Sequence, residues 1–222
     1  GEIQNAVRLY MKVLQFKDSP VYAYAHYKLG WCHLNPIGTA DPEYDKSLNY
    51  FIETIKDTLE GRAGSEAAGK QLRRDSRRDL VRAYTFAGTA SKAWPFFQKW
   101  GTGPGDDEDD ARKMMEILAN SYFGNGLYTP STYIYKQLQE IYEGDPATCD
   151  WQGRIVVNTL SSDNKKIQWK ETQNLGVYWE TFRDGDYKKT VKKKCRDDAL
   201  DTMKQMATVW HDEAEKTKLD ST

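Results

Sequence analysis

His26 and His33 lie seven residues apart, two turns of one helix, and could act as a base or ligand pair if a thiol or carboxylate joined them. No carboxylate or thiol recurs at a spacing that completes such a site, so both are assigned to packing, at ring positions of a core. His211, beside Trp210, is assigned to the surface. Gly101-Thr102-Gly103-Pro104-Gly105 clusters glycines as phosphate loops do. No strand precedes it, no Lys-Ser/Thr follows, and the acidic residues beyond it would repel an anion. That acidic run, Asp106 to Asp110, lacks the alternating ligands, central Gly and terminal Glu of a calcium loop. It reads as a helix-start device, each carboxylate near the exposed N–H groups contributing about 0.3 to 1 kcal/mol. No catalytic residue, no metal ligand set and no cofactor site is expected.

Two basic clusters could hold phosphates: Lys70, Arg73, Arg74, Arg77 and Arg78, and the run Lys188, Lys189, Lys192, Lys193, Lys194 and Arg196. Asp75, Asp79, Asp184 and Asp186 interleave with them, so solvent-facing charged helices are the simpler account. The whole chain agrees: 32 Lys and Arg against 33 Asp and Glu give a formal charge of −1 over 222 residues. No global field would hold the molecule on nucleic acid or anionic lipid. Seven Trp, fourteen Tyr and seven Phe exclude the aromatic-poor profile of a disordered chain. Cys32, Cys149 and Cys195 form no CxxC pair and have no His at ligand spacing, so neither a zinc site nor a disulfide framework is signalled, and the redox compartment stays open. No apolar run approaches the roughly 18 residues of a membrane span, and the first ten residues lack a signal-peptide pattern.

The elements that position these residues are read from periodicity. Ile3, Ala6, Leu9, Tyr10, Val13 and Leu14 fall on one face of a helix that opens the chain without a Met, as expected of a fragment of a longer protein. Further on, Leu29, Leu80 and Leu118 each precede a ring by four residues: His33, Tyr84 and Tyr122. Thirteen residues after Leu80 and Leu118 come Ala93 and Ser131, each followed at four by a ring, Phe97 and Tyr135. The first segment delivers the same second half late, as Ser47 and Phe51, because Asn35 to Glu43 inserts five extra residues. A first helix carrying Leu and a ring packs on a second whose small residue allows close approach and whose ring fills the gap. Gly88 and Gly126 supply turns needing positive φ. Such pairs cannot bury their apolar faces alone and must stack.

Leu59 to Gly69 reads as a loop or frayed helix, and Trp100 to Asp110 as a break. After residue 150 two registers compete. Trp151 and Ile155 begin a fourth pair with Gln168, Thr172 and Leu175 in its second helix, or Leu175-Gly176 starts a pair of its own. The first is preferred. Leu200, Met203, Ala207, Trp210 and Ala214 form a narrow apolar stripe on a last helix over 196–218.

The pattern of Leu-Gly, Tyr, small residue and ring resembles the tetratricopeptide repeat, matched best from Asp110 to Ile141, well from Asp75 to Trp100 and loosely from Tyr22 to Ile55. The repeated Leu residues stand 51 and 38 apart where the family has shorter, regular spacing. The resemblance implies an all-α fold, an α-α superhelix of antiparallel helix pairs, in one domain over 1–222 with repeat units about 22–58, 75–100, 110–142 and 150–178. It also implies a concave face lined by the first helices. Carried onto this chain, the groove residues are Tyr27, Trp31, Arg78, Arg82, Lys113, Glu116 and Asn120, with Phe86 and Phe123 at its edge. Rings beside guanidinium groups suit a peptide groove, giving much contact area for little lost freedom. The Lys and Asn pattern that clamps a free C-terminus is not reproduced.

Residues 18–35, 79–84, 93–97 and 210–217 together look like large tetratricopeptide-repeat proteins of delta-proteobacteria associated with gliding motility. This implies a periplasmic or outer-membrane scaffold and transfers no catalytic residue. The expected role is a non-enzymatic scaffold binding another protein or peptide segment. The alternatives are a nucleic-acid or lipid adaptor using Lys188 to Arg196, and an enzyme within a helical array. The last would need titratable groups converging in a closed pocket, and none assembles from the sequence.

Overall fold

A computed structural model describes residues 2–35, 41–103 and 110–219. The chain is all-α, of the helical-repeat class, with no strand among the described residues. It divides into two compact units, Gly1–Ser121 and Tyr122–Thr222, each described by itself. The first holds α1 (Glu2–Val13), α2 (Tyr22–Leu34), α3 (Tyr44–Leu59), α4 (Glu66–Ala87), α5 (Ala93–Gly101) and most of α6 (Asp110–Gly124). The second holds α7 (Tyr128–Ile141), α8 (Thr148–Thr159), α9 (Lys165–Asp184) and α10 (Lys189–Leu219). Within each unit, helices pack on their sequence neighbours, α2 on α3 on α4, and α7 on α8 on α9. On α1 the expected face is only half-buried, and Leu9 points to solvent at 62% exposure.

The Leu, small-residue and ring spacing is explained by burial. Leu29, Leu80 and Leu118 are buried, as are Ser47 with Phe51, Ala93 with Phe97 and Ser131 with Tyr135. Fully burying such a side chain contributes about 1.5 to 3 kcal/mol. In the first pair the fit depends on glycine: a Cβ on Gly30 would lie 2.7 Å from the Phe51 ring. The ring therefore rests on bare backbone of α2, and the Ser47 hydroxyl, one turn earlier, donates to the Gly30 carbonyl at 2.8 Å.

Gly126 fills its expected role at φ 73°, where the Leu127 N–H returns to the Tyr122 carbonyl at 2.8 Å. Gly88 does not. Its φ is −95°, within reach of any residue, and the position needs glycine for room. The Tyr84 ring covers it, so that a Cβ would sit 2.3 Å from the ring, while the Tyr84 hydroxyl donates to the Thr89 carbonyl at 2.9 Å.

α4 starts earlier than its repeat pattern indicates. The Ser65 hydroxyl accepts from the Ala68 N–H at 3.2 Å, and helix-forming residues follow. Gly69 lies inside the helix, where a Cβ would stand 3.5 Å from the Ala63 side chain. Arg73, in the added turns, and Arg77 are buried, which corrects the reading of the whole first basic cluster as solvent-facing. The Arg77 Nε donates to the Trp100 carbonyl at 2.7 Å and its guanidinium pairs with Asp110 at 3.1 Å.

In the second unit, α8 and α9 take the preferred register: Trp151, Ile155, Gln168 and Leu175 are buried, and α9 continues through Gly176 to Asp184. The Asn164 side chain caps α9 by accepting from Lys166 and Ile167 N–H at 3.1 and 3.2 Å. Cys149 and Cys195, whose pairing the sequence does not signal, form a disulfide, with Cα atoms 5.7 Å apart. It ties α10 to α8 and fixes the rotation of α10. The buried face is therefore Cys195, Ala199 and Met206, with Trp210 half-buried. Of the expected stripe, Leu200 is 48% exposed, and Ala207 and Ala214 also face solvent.

A chain-entropy estimate for a loop of this length gives the disulfide about 4 kcal/mol of stabilisation. Urea unfolding should show a loss of that order when reductant is added or when both residues are changed, Cys149→Ser with Cys195→Ser. Cys32→Ser should leave the reductant-sensitive part intact.

Candidate functional site

Tyr27 and Trp31, four residues apart on α2, point the same way, and α4 brings Arg78, Asp79 and Arg82 against them. Asp79 is fully buried. One carboxylate oxygen accepts from the Tyr27 hydroxyl at 2.7 Å and from the Trp31 indole N–H at 3.1 Å. The other faces the Arg78 Nε at 3.3 Å and the Arg82 Nε at 3.8 Å. A buried carboxylate is expensive unless paired and hydrogen-bonded, and here three donors from two helices satisfy it, with the Arg82 charge nearby. Burial first, then the hydrogen bond to Asp79, pushes the Tyr27 phenol up to about 12. The same carboxylate raises Arg78 above its ordinary value through their hydrogen bond.

The outward side of this cluster is aromatic and cationic. The Arg82 guanidinium lies over the Trp31 ring at 5.5 Å, and the Lys28 ammonium lies 5.1 and 5.9 Å from the Tyr24 and Tyr27 ring centres. Behind them, Phe51 contacts Tyr27 and Trp31 with ring centres 5.8 and 6.5 Å away. Arg78 continues into a neighbouring pocket of about 300 Å3 that it lines with Arg74, Lys113 and Ile117, among others. Four of the predicted groove residues thus converge on Asp79, and Lys113 joins them through Arg78.

The remaining candidates are placed elsewhere. The Asn120 side chain donates to the Glu116 carbonyl at 2.9 Å, and Glu116 pairs with Arg112 at 3.2 Å. Phe86 stacks on Tyr44, with ring centres 4.5 Å apart. Phe123 belongs to the second unit, where it meets Tyr128 edge-on at 5.5 Å.

The histidines do meet carboxylates. His26 Nδ1 lies 2.6 Å from the buried Asp57, which Arg62 also contacts at 2.9 Å. This bracket fastens α2 to the end of α3 and presents no nucleophile. His33 Nδ1 lies 2.6 Å from Glu43 and its ring stacks on Tyr50. His211 is exposed beside Glu215. Among the described residues no group of three His, Cys, Asp or Glu could hold a metal ion, and Pro104 to Asp109 lie outside them. In the second basic cluster, Lys192 donates to the Arg183 carbonyl, Lys194 pairs with Asp150 and Asp198, and Arg196 pairs with Asp197.

Asp79 is the residue that sequence reasoning missed: flanked by Arg78, it reads as a surface charge. Its one available signal is its place immediately before the repeated Leu80, on the side where α2 presents Tyr27 and Trp31. No family model matches this chain, and no curated protein or solved structure is similar to it at a significant level.

Asp79→Ala should cost about 1 to 3 kcal/mol in urea unfolding, since the half-buried Tyr27 hydroxyl and Trp31 N–H lose their acceptor, and Tyr27→Phe about 1 kcal/mol. Because the folded-state value of Tyr27 is raised, its contribution is complete below the ordinary phenol value of 10.0 and is lost as pH climbs through about 12. Ultraviolet titration should find this phenolate late in the native chain and earlier in Asp79→Ala.

Proposed function

We propose that this chain is a non-enzymatic, tetratricopeptide-like scaffold that binds another protein or an extended peptide segment on the face shared by α2 and α4. The observation that carries the reading is the division of labour around Asp79. The buried carboxylate takes the polar edges of Tyr27 and Trp31, which leaves ring faces and guanidinium groups for a partner. The Arg78 and Arg82 side chains are 53% and 56% exposed while paired at one edge with Asp79, so they are held in place at little further cost in freedom on binding. With Lys28, Arg74 and Lys113 around them, the surface suits a segment bearing Asp or Glu beside apolar side chains.

The Cys149–Cys195 disulfide supports a setting outside a reducing cytosol, since such bonds persist in oxidising compartments. A periplasmic or outer-membrane-associated complex, as the resemblance to gliding-motility proteins implies, meets that condition.

Arg82→Ala combined with Lys113→Ala removes two cations, 56% and 52% exposed, without emptying the core. Capture of the partner from native envelope, read by quantitative mass spectrometry, should fall by about tenfold, while stability changes by less than about 1 kcal/mol. Equal capture by the variant and the native chain would overturn the assignment of this face.

A further inference from the structure

The second unit contains an open cavity of about 630 Å3 where α7, α8 and α9 meet. Ligand sites of small molecules are commonly of this size. Short loops make α7 and α9 each antiparallel to α8, so the two run in the same direction. Their register is fixed by an ion pair: the Lys136 ammonium donates to Glu171 at 2.7 Å, across 35 residues of sequence. Glu143 stands at the same offset from Tyr178, whose phenol is raised by burial and then by the charges of Glu143 and Glu171.

This register polarises the cavity. Lys136 and Lys170 line one end, while Glu140, Glu143 and Tyr178 line the other. At 1.5 Å rise per residue, positions 170 and 178 are about 12 Å apart along α9. The floor is already satisfied. Glu171 is buried and receives Lys136, Gln152 at 3.0 Å and Asn174 at 3.1 Å. Burial works to raise its carboxyl, and these three donors outweigh it and hold it below the usual range. Lys136 is thereby neutralised. Glu140, Glu143 and Lys170 have no ion-pair partner among the described residues, so the cavity presents two carboxylates at one end and one ammonium at the other. Between them, Gln139 spends its amide N–H groups on the Thr148 carbonyl and on Gln152. Its side-chain oxygen, like that of Asn174, is left as an acceptor.

We propose that this cavity binds a short peptide with both termini free, its ammonium group between Glu140 and Glu143 against Tyr178 and its carboxylate at Lys170. The Gln139 and Asn174 oxygens accept from peptide N–H groups along the way. An extended chain advances about 3.3 to 3.6 Å per residue, so a tripeptide separates its charges by about 10 Å and matches the polarised length. A simple polyamine would satisfy the acidic end and place a cation against Lys170. A simple dicarboxylate would do the reverse at Glu140 and Glu143.

The test is NMR titration of the whole chain at low ionic strength with triglycine, N-acetyl-triglycine and triglycine amide. Triglycine should bind saturably with shifts confined to α7, α8 and α9, and blocking either terminus should weaken it about tenfold. In Glu140→Gln with Glu143→Gln, acetylation should no longer matter; in Lys170→Gln, amidation should no longer matter. These side chains are exposed, and matching circular-dichroism melts will establish that each variant is folded. Absence of saturable triglycine binding, or folded variants that still discriminate the blocked peptides as the native chain does, overturns the proposal.

Discussion

An aromatic ring laid on bare backbone is the contact on which this architecture depends. A helix pair cannot bury its apolar face unless the two axes come close, and close approach requires that one partner offer almost no side chain. At Gly30 the Phe51 ring occupies the place of a missing Cβ, and Ser47 locks the adjoining carbonyl. Once that distance is set, Leu29 is buried on one side and the outward face of α2, with Tyr27 and Trp31, is set on the other.

The same closeness creates the problem that Asp79 solves. Rings that pack this deep bring a phenol and an indole N–H into a region with little water, where an unmatched donor is costly. A single carboxylate accepting both, and balanced by two guanidinium groups at its other oxygen, converts that cost into orientation. The interior and the candidate binding surface therefore share one polar junction. In the second unit Glu171 plays the equivalent part with a lysine and two amides, and it forms the floor of the open cavity.

Much of the helical periodicity was legible because it is local. Leu80 with Tyr84, Ala93 with Phe97 and Ser131 with Tyr135 repeat at distances set by helical geometry, and each is buried. What escaped was whatever depended on partners far along the chain. Cys149 and Cys195 are separated by 46 residues and carry no spacing signature, so neither the disulfide nor the rotation of α10 could be read. Asp79 and Asp57 look like surface charges until α2 supplies Tyr27, Trp31 and His26. In each case residue type was informative only with knowledge of what crosses over it.

The cover that Tyr84 places over Gly88 joins the histories of those two positions. As long as the ring remains, position 88 admits no side chain, and as long as position 88 is glycine, the ring keeps both its seat and its bond to Thr89. A side chain at position 88 is blocked on its own, whereas the glycine does not block loss of the ring. A descendant sequence could gain alanine at the turn only in company with a smaller neighbour four places earlier, so exchange there should be paired, with the loss of the ring coming first.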